Sequence, residues 1–178
     1  MKDILIVNAK YNQGANKALV SILNGLSNEE REKERGSYYG SLSSLVAHIM
    51  GGATFFMSLF KEAVAQNPAA MKVYEALDKV AAPEKGPLTE AQWQSLAKNL
   101  ETVDQALVDF VTALDDAAIQ APVKVRFYGG NPDAAPLFFL LLNLAAHGTH
   151  HRGQCSQILD EMKVDNNWSG IDISCLPR

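Results

Sequence analysis

The segment "PLFFLLLNLAAHGTHHRGQCSQILDEM", residues 136–162, decides the fold class because its apolar residues recur at helical spacing throughout. On a wheel of about 100° per residue they form one stripe along a long amphipathic helix. The helix is predicted to begin close to Pro136, a favoured first-turn residue, and to end near Met162. The stripe contains Leu137, Leu141, Leu144, Gly148, Cys155, Leu159 and Met162.

Three further segments carry the same periodicity. The first is predicted over residues 4–26 and the second over residues 41–67, with Ser41 as its N-cap and Pro68 just beyond its end. The third is predicted over residues 89–114, opened by the capping-box spacing of Thr89 and Gln92. Four long amphipathic helices predict an all-α helix bundle.

The connections between these helices are predicted from breaker and charge clusters. Residues 27–37, "SNEEREKERGS", are expected to form a solvated connector, and residues 69–80 a short extra helix. In residues 121–136, alternation of Val123, Val125 and Phe127 indicates a short extended stretch that the Gly129–Pro132 cluster stops. Because one isolated strand cannot make a sheet, this segment is predicted to be a long crossover loop. The tail, residues 164–178, is expected to be irregular and to pack on the helices.

Chain length, net charge and the lengths of apolar runs exclude some classes of protein and some kinds of partner. The 178 residues predict one domain, residues 1–178, with ordinary globular composition. A net charge of -4 argues against nucleic acid as a partner. No unbroken apolar run reaches the roughly 18 residues that span a bilayer, and the N-terminus lacks signal-peptide features. We therefore expect no membrane partner and a cytoplasmic location, where Cys155 and Cys175 would be reduced thiols.

Three of the four histidines lie in the last helix. His147 and His151 are one turn apart on or beside the apolar stripe, a spacing that lets two imidazoles share a metal ion, whereas His150 points toward the polar side. His48 lies at the edge of the core face of the second helix, just before Gly51 and Gly52, a pair that suggests close packing or access to a cavity. We therefore predict a divalent metal site of His48, His147 and His151 with an open position.

Other interpretations of these residues stay open. A lone histidine on an apolar edge is usually a satisfied core residue, and pairs spaced by four also occur in metal-free helices. Imidazole suits zinc, nickel, iron and copper alike, so the residues do not choose the ion.

Several neighbours are candidates for supporting roles. Arg152 could anchor an anionic substrate, although a structural ion pair is more common for such a residue. Gln154 could orient a ligand from outside the coordination sphere, although an interhelical hydrogen bond is the more common arrangement. Cys155 is expected in the core, and Asn12 could cap or brace. Aromatic residues that could line a pocket are Tyr38, Tyr39 and Trp168.

Several segments resemble the DinB/YfiT-like superfamily of metalloenzymes. "HGTHHRGQCSQIL" resembles the H-x-x-x-H-R-G-Q segment that closes these proteins, and "SSLVAHIMGGATFF" resembles their second helix with its His. "NAKYNQGANKALVSIL" is similar to the family's first helix, with Tyr11, Asn12 and Asn16 matching and Gly14 in place of the usual Trp. "IDISCLPR" resembles the Asp-containing tail.

The resemblance implies a four-helix bundle in up-down-down-up order and, often, a homodimer. It implies a divalent metal, zinc or nickel first and iron or manganese next, on the positions of His48, His147 and His151, with His150 at a non-ligand position. Some relatives use low-molecular-weight thiols. The resemblance thus favours an enzyme that activates a thiol or a water for reaction with a small-molecule substrate, a thiol S-transferase being the most concrete version and a hydrolase the next. The alternatives are a stress-response or binding module with a structural metal and a helical dimerisation protein without metal.

Overall fold

The computed structural model describes residues 1–126 and 132–177 of the chain. Helix dominates these residues, in agreement with the predicted all-α class. The helices are α1 Lys2–Asn24, α2 Asn28–Glu32, α3 Leu42–Ala63, α4 Pro68–Lys72, α5 Tyr74–Leu77, α6 Glu90–Ala113, α7 Asp116–Gln120 and α8 Leu137–Glu161, with two strands, β1 Pro122–Arg126 and β2 Pro132–Pro136, between α7 and α8.

The four long helices, α1, α3, α6 and α8, correspond to the four predicted segments and pack on one another. Helix α1 contacts α6 and α8, and α3 contacts the same two helices. Their apolar faces meet in one core that includes the fully buried Leu19, Phe60, Trp93 and Leu159. Burial of these faces is the main source of helix stability, because isolated helices are marginal in water.

The predicted helix starts are confirmed by their caps. Thr89 Oγ1 accepts from the backbone N–H of Gln92, and the Gln92 side chain accepts from the Thr89 N–H, which completes the capping box. Ser41 Oγ accepts from the Ser44 N–H at the start of α3. Pro136 directly precedes α8 as its N-cap residue.

The predicted connector after α1 is largely solvated, as expected, but it contains a short helix and a buried cation that were not predicted. Residues 28–32 form α2, and Arg31 is almost completely buried there. Its guanidinium donates to the Leu23 carbonyl (3.1 Å) and pairs with Glu90, and it lies 5.1 Å from the centre of the Trp93 ring. Arg31 therefore satisfies a carbonyl near the end of α1 and links α1 to α6, which its highly charged sequence neighbours did not indicate.

The prediction of an unpaired extended stretch before α8 was wrong. β1 and β2 pair antiparallel, with Val123 opposite Ala135, and the side chains of these two residues are buried. β1 packs against α3, which supplies the apolar surface that a two-stranded sheet needs. The predicted positions of Phe127 and of Gly129–Asn131 lie outside the described residues.

Smaller differences concern the short helices and the tail. The single helix predicted over residues 69–80 is two short helices, α4 and α5, and α7 was not predicted. The tail is largely irregular, as predicted, and it packs on α1 through a 3-10 turn, Ile173–Cys175.

Helix α3 is long and apolar enough to cross a membrane by length and average composition. No unbroken apolar run of this length occurs in α3, because polar residues interrupt its sequence, but its mean hydropathy is high. Half of its most apolar stretch is buried against the rest of the protein, and buried core helices pass the same test. The length of α3 is therefore weak evidence for a membrane span.

Candidate metal centre

The three predicted ligands converge. His48 projects from α3, and His147 and His151 project from α8, and one nitrogen from each imidazole lies within 4.8 Å of those of the other two. His48 Nε2 and His147 Nε2 are 3.0 Å apart. The structure therefore brings together a set of three imidazoles that could hold a metal ion.

Gly52 makes room for the His147 ring. A Cβ atom at this position would lie 3.0 Å from His147 Nδ1, a tight contact, and 2.5 Å from its Cε1, a distance that would force the ring to move. At Gly51 an added Cβ would meet only Pro83 Cγ, at 3.8 Å, an ordinary contact. Close packing, one of the two explanations suggested by the sequence, is thus confirmed for Gly52.

Gln154 orients the His151 ring. Its Oε1 lies 2.7 Å from His151 Nδ1, where it accepts the ring N–H. This bond leaves the lone pair on Nε2, as in metal sites where an outer partner fixes the tautomer of a ligand. The sequence favoured an interhelical hydrogen bond for Gln154. Its partner in the structure is instead His151, three residues earlier on the same helix.

Tyr39 covers the His48 side of the cluster. Its hydroxyl is 2.9 Å from His48 Nε2, and the two rings stack with centroids 4.1 Å apart. The edge of the same phenol meets His151 at 5.3 Å. Tyr38 packs edge-on against Tyr39 but is 91% exposed. Of the predicted aromatic pocket residues, Tyr39 is therefore the one in contact with the imidazoles.

The polar atoms of the cluster fit a cation better than they fit one another. His48 Nε2 offers one lone pair or one proton, yet two polar atoms, of Tyr39 and His147, lie at hydrogen-bond distance from it. His147 Nδ1, which would carry the ring proton if Nε2 were a ligand, is buried without a hydrogen-bond partner among the described side chains. The crowding of polar atoms around His48 Nε2 is what suits a cation that takes the converging lone pairs.

All three imidazoles are held in the neutral form that metal binding requires. Burial, followed by the neighbouring imidazoles, lowers the pKa of His147 to about 4. Burial, with a smaller effect of His151, lowers the pKa of His48. Burial also lowers the pKa of His151, although its bond to Gln154 acts in the opposite direction. At neutral pH the cluster therefore presents three uncharged nitrogen donors.

Arg152 is fully buried behind the centre, where it has a structural role. It donates to Asn16 Oδ1 (3.0 Å), and Asn16 Nδ2 donates to both carboxylate oxygens of Asp104 (3.0 and 3.1 Å). Burial raises the pKa of Asp104 to about 7, against the opposing effects of Asn16 and Arg152. The alternative that Arg152 anchors a substrate does not fit a guanidinium enclosed in this network. Sequence analysis missed Asp104. Its position between Val103 and Leu107, on the apolar face of α6, could have indicated a buried carboxylate.

Other predicted residues lie apart from the cluster. His150 is exposed, as its wheel position predicted, and its ring forms a T-shaped contact with that of His151, with centroids 4.8 Å apart. Cys155 is a free thiol in the core, as predicted, and burial raises its pKa to about 12. Asn12 lies against α8, where its Oδ1 would be 2.9 Å from a Cβ at Gly148, and its Nδ2 donates to the Asn8 carbonyl of its own helix (3.0 Å).

A separate groove of about 1130 Å³ lies between α1, α6 and the tail and contains none of the three histidines. Trp168 lines this groove, and its carbonyl accepts from the Tyr11 hydroxyl (2.8 Å). Trp168 thus lines a pocket, as predicted, but the pocket is this groove and not the histidine cluster. Gly14 also lines the groove, and a Cβ there would touch nothing within 4 Å. Helix α1 continues through Gly14 and contacts α6 and α8.

The fold and the three-imidazole cluster define a mainly helical protein with a centre suited to a metal ion. The chain belongs to the DinB family, whose model matches residues 1–167. A comparison with curated proteins finds no match to this chain.

Proposed function

We propose that the protein is a metal-dependent enzyme that uses a divalent cation on His48, His147 and His151 to activate a nucleophile for reaction with a small molecule. The observation that carries this proposal is the convergence of three neutral imidazole nitrogens from two helices within 4.8 Å. Three protein ligands leave a position for an exogenous ligand, which is the arrangement of catalytic sites. His48 and His147 are only partly buried, so a small molecule can approach the centre.

The cation proposed is zinc or nickel, with iron or manganese as the next choices, because imidazole donors suit several of these ions. Such a cation lowers the pKa of a thiol or water bound to it and thereby supplies a nucleophile at neutral pH. The protein contributes the fixed imidazoles, the Gln154 bond that orients His151 and the Tyr39 ring stacked on His48.

A thiol is the favoured nucleophile, which makes a thiol S-transferase the most concrete proposal and a low-molecular-weight thiol the proposed co-substrate. Among the side chains that the structure describes, no carboxylate hydrogen-bonds to the three imidazoles. A thiol, with an ordinary pKa of about 8.5, loses its proton far more readily than a water does.

The wider setting is proposed from sequence and family. Contacts of α1 and α3 with both α6 and α8 support a four-helix bundle, and family membership supports its up-down-down-up order. Family membership supports a homodimer. The net charge of -4 supports a partner other than nucleic acid, and we propose a cytoplasmic protein that acts on small molecules without a membrane.

The proposed activity is tested with protein purified without a His-tag and loaded separately with zinc, nickel, iron or manganese. Each form is assayed with glutathione or cysteine against an aryl halide and an epoxide, and without thiol against nitrophenyl esters. We expect metal-dependent conjugation of the thiol, lost in His48→Ala and retained in His150→Ala. Equal rates in the wild-type protein and His48→Ala for both reaction types would contradict the proposal.

The same samples distinguish the alternative functions. Metal-dependent ester hydrolysis without thiol conjugation indicates a hydrolase. Metal binding without either activity, together with unfolding on chelation, indicates a module with a structural metal. We expect chelation to leave the helices folded, because the apolar core is independent of the imidazoles.

Metal binding should persist to a lower pH than for unperturbed histidines. The pKa values of all three imidazoles are lowered, that of His147 to about 4, so protons compete with the cation at a lower pH than the ordinary histidine pKa of about 6.5. Competition with a chromophoric chelator from pH 5 to pH 8 measures the affinity. We expect a nearly constant affinity from pH 8 to about pH 6.5; a tenfold loss already between pH 8 and pH 7 would contradict it.

A further inference from the structure

Three polar side chains from three helices meet in the core behind the metal centre. Arg152 of α8 donates to Asn16 Oδ1 of α1 (3.0 Å), and Asn16 Nδ2 donates to both carboxylate oxygens of Asp104 on α6 (3.0 and 3.1 Å). The exposed fractions of Arg152, Asn16 and Asp104 are 0%, 3% and 5%. Asn16 thus stands between a buried guanidinium and a buried carboxylate and bonds to both, which fixes the positions of all three side chains.

This chain of side chains anchors α8 beside the histidines. Over residues 145–154, all of which the structure describes, α8 buries no apolar side chain; its buried residues there are Gly148, His151 and Arg152. A Cβ at Gly148 would lie 3.0 Å from Arg152 Nη1, so the guanidinium lies close against the helix backbone. The hydrogen bond of Arg152 to α1 therefore takes the place that apolar packing has elsewhere along the helix.

The rotation of α8 about its own axis decides whether its two histidines reach His48. Arg152 follows His151 directly, so a fixed direction for Arg152 also fixes that of His151, about 100° away around the helix. A rotation of about 20° moves an atom about 6 Å from the axis by about 2 Å, which equals the length of a bond between zinc and an imidazole. Apolar contacts are non-directional and tolerate such a rotation, whereas a hydrogen bond specifies a distance and an angle.

Asp104 completes the anchor because it supplies the negative charge of the chain. Burial lowers the pKa of Arg152, while Tyr11 and the carboxylate of Asp104 act in the opposite direction. A buried guanidinium that loses its counter-charge is unfavourable. Loss of the carboxylate should therefore displace the Arg152 side chain and, with it, the adjacent turn of α8.

We infer that Asp104 is a positioning residue of the metal centre: through Asn16 and Arg152 it holds α8 in the rotation that directs the two histidines of this helix toward α3. This inference rests on the proposed function, because it concerns the geometry of the same metal site. It makes metal binding depend on a residue of α6, a helix that contributes none of the three histidines.

The test measures the cobalt affinity of the complete chain by competition with a chromophoric chelator, together with the visible spectrum of the cobalt-loaded protein. Asp104→Asn keeps the shape of the side chain and removes its charge, and Asn16→Ala breaks the chain at its centre. We expect each variant to bind cobalt about tenfold more weakly, as for other residues that orient a ligand from outside the coordination sphere. The double variant should lose little more than either single variant, because both changes break the same chain.

Two control variants of α6 separate positioning from general stability. Asp109→Asn removes an exposed carboxylate of the same helix and should leave cobalt binding unchanged. Leu100→Ala removes a buried apolar side chain one turn from Asp104 and should lower the midpoint of urea unfolding, with the cobalt affinity and spectrum of the wild-type protein. Equal losses of cobalt affinity in Leu100→Ala and Asp104→Asn would show that any weakening of the core disturbs the site, and would overturn the inference.

The outcomes also distinguish this inference from the proposed function. Wild-type protein that fails to bind cobalt overturns both. Wild-type protein that binds cobalt, with the same affinity in Asp104→Asn and Asn16→Ala, overturns the role of Asp104 alone. Should Asp104→Asn fail to fold, Asn16→Ala, which leaves both charges in place, decides by the same criterion.

Discussion

His48→Ala is expected to lower the affinity for cobalt or zinc by more than about 100-fold. Loss of a residue outside the coordination sphere typically costs 10- to 100-fold in metal affinity, so loss of one of three ligands should cost at least as much. His48 is also the sole member of the cluster contributed by α3. Competition with a chromophoric chelator measures the affinity, and circular dichroism checks that the helices persist.

His150→Ala is the matched control for this variant. His150 is exposed and lies beside His151, so its removal takes away an imidazole of the same chemistry outside the cluster. Its metal affinity should equal that of the wild-type protein within about twofold. Equal losses in the two variants would mean that metal binds adventitiously to the histidine-rich helix, and the three-imidazole site would be wrong.

Gly52→Ala is expected to weaken metal binding by about tenfold or more, comparable with the loss of a residue that orients a ligand. The added methyl group would lie 2.5 Å from His147 Cε1, so the imidazole must rotate or shift away from His48. An alanine in a helix interior otherwise stabilises by about 0.5–1 kcal/mol relative to glycine. The collision should cancel this gain in the metal-free protein, as measured by urea unfolding.

Gly51→Ala isolates the effect of the collision. Gly51 precedes Gly52 in α3, and a methyl group there makes only an ordinary contact with Pro83. We expect a gain of about 0.5–1 kcal/mol in the free energy of unfolding and unchanged metal affinity. A Gly52→Ala protein that gains the same stability and binds metal normally would show that the space beside His147 is not needed.

The long helices and the histidine cluster could be predicted because each depends on the spacing of residues within individual helices. The stripe of α8 fixes which side of the helix faces the core, and His147 and His151 share that side while His150 does not. His48 could be added because it occupies the equivalent edge of α3. The resemblance to the family identified the same three residues independently of their wheel positions.

The features that were missed depend on contacts between segments. β2 has the sequence Pro-Asp-Ala-Ala-Pro, which lacks the β-branched and aromatic residues that indicate strands. It forms because it pairs with β1, with Ala135 buried opposite Val123. Arg31 seemed solvated because its partners, the end of α1 and Glu90, are distant in sequence. Tyr39 could be named as a pocket residue, but its bond to His48 depends on the turn that ends at Gly40.

X-ray absorption spectroscopy of zinc-loaded protein, purified without a His-tag and brought to one equivalent, tests the central claim most directly. The account predicts one bound zinc per chain, with three imidazole nitrogens at about 2.0–2.1 Å and a further light-atom ligand that an added thiol replaces with sulfur. The imidazole count should fall to two in His48→Ala and remain three in His150→Ala. A zinc bound by fewer than three imidazoles in the wild-type protein, or an unchanged spectrum in His48→Ala, would contradict it.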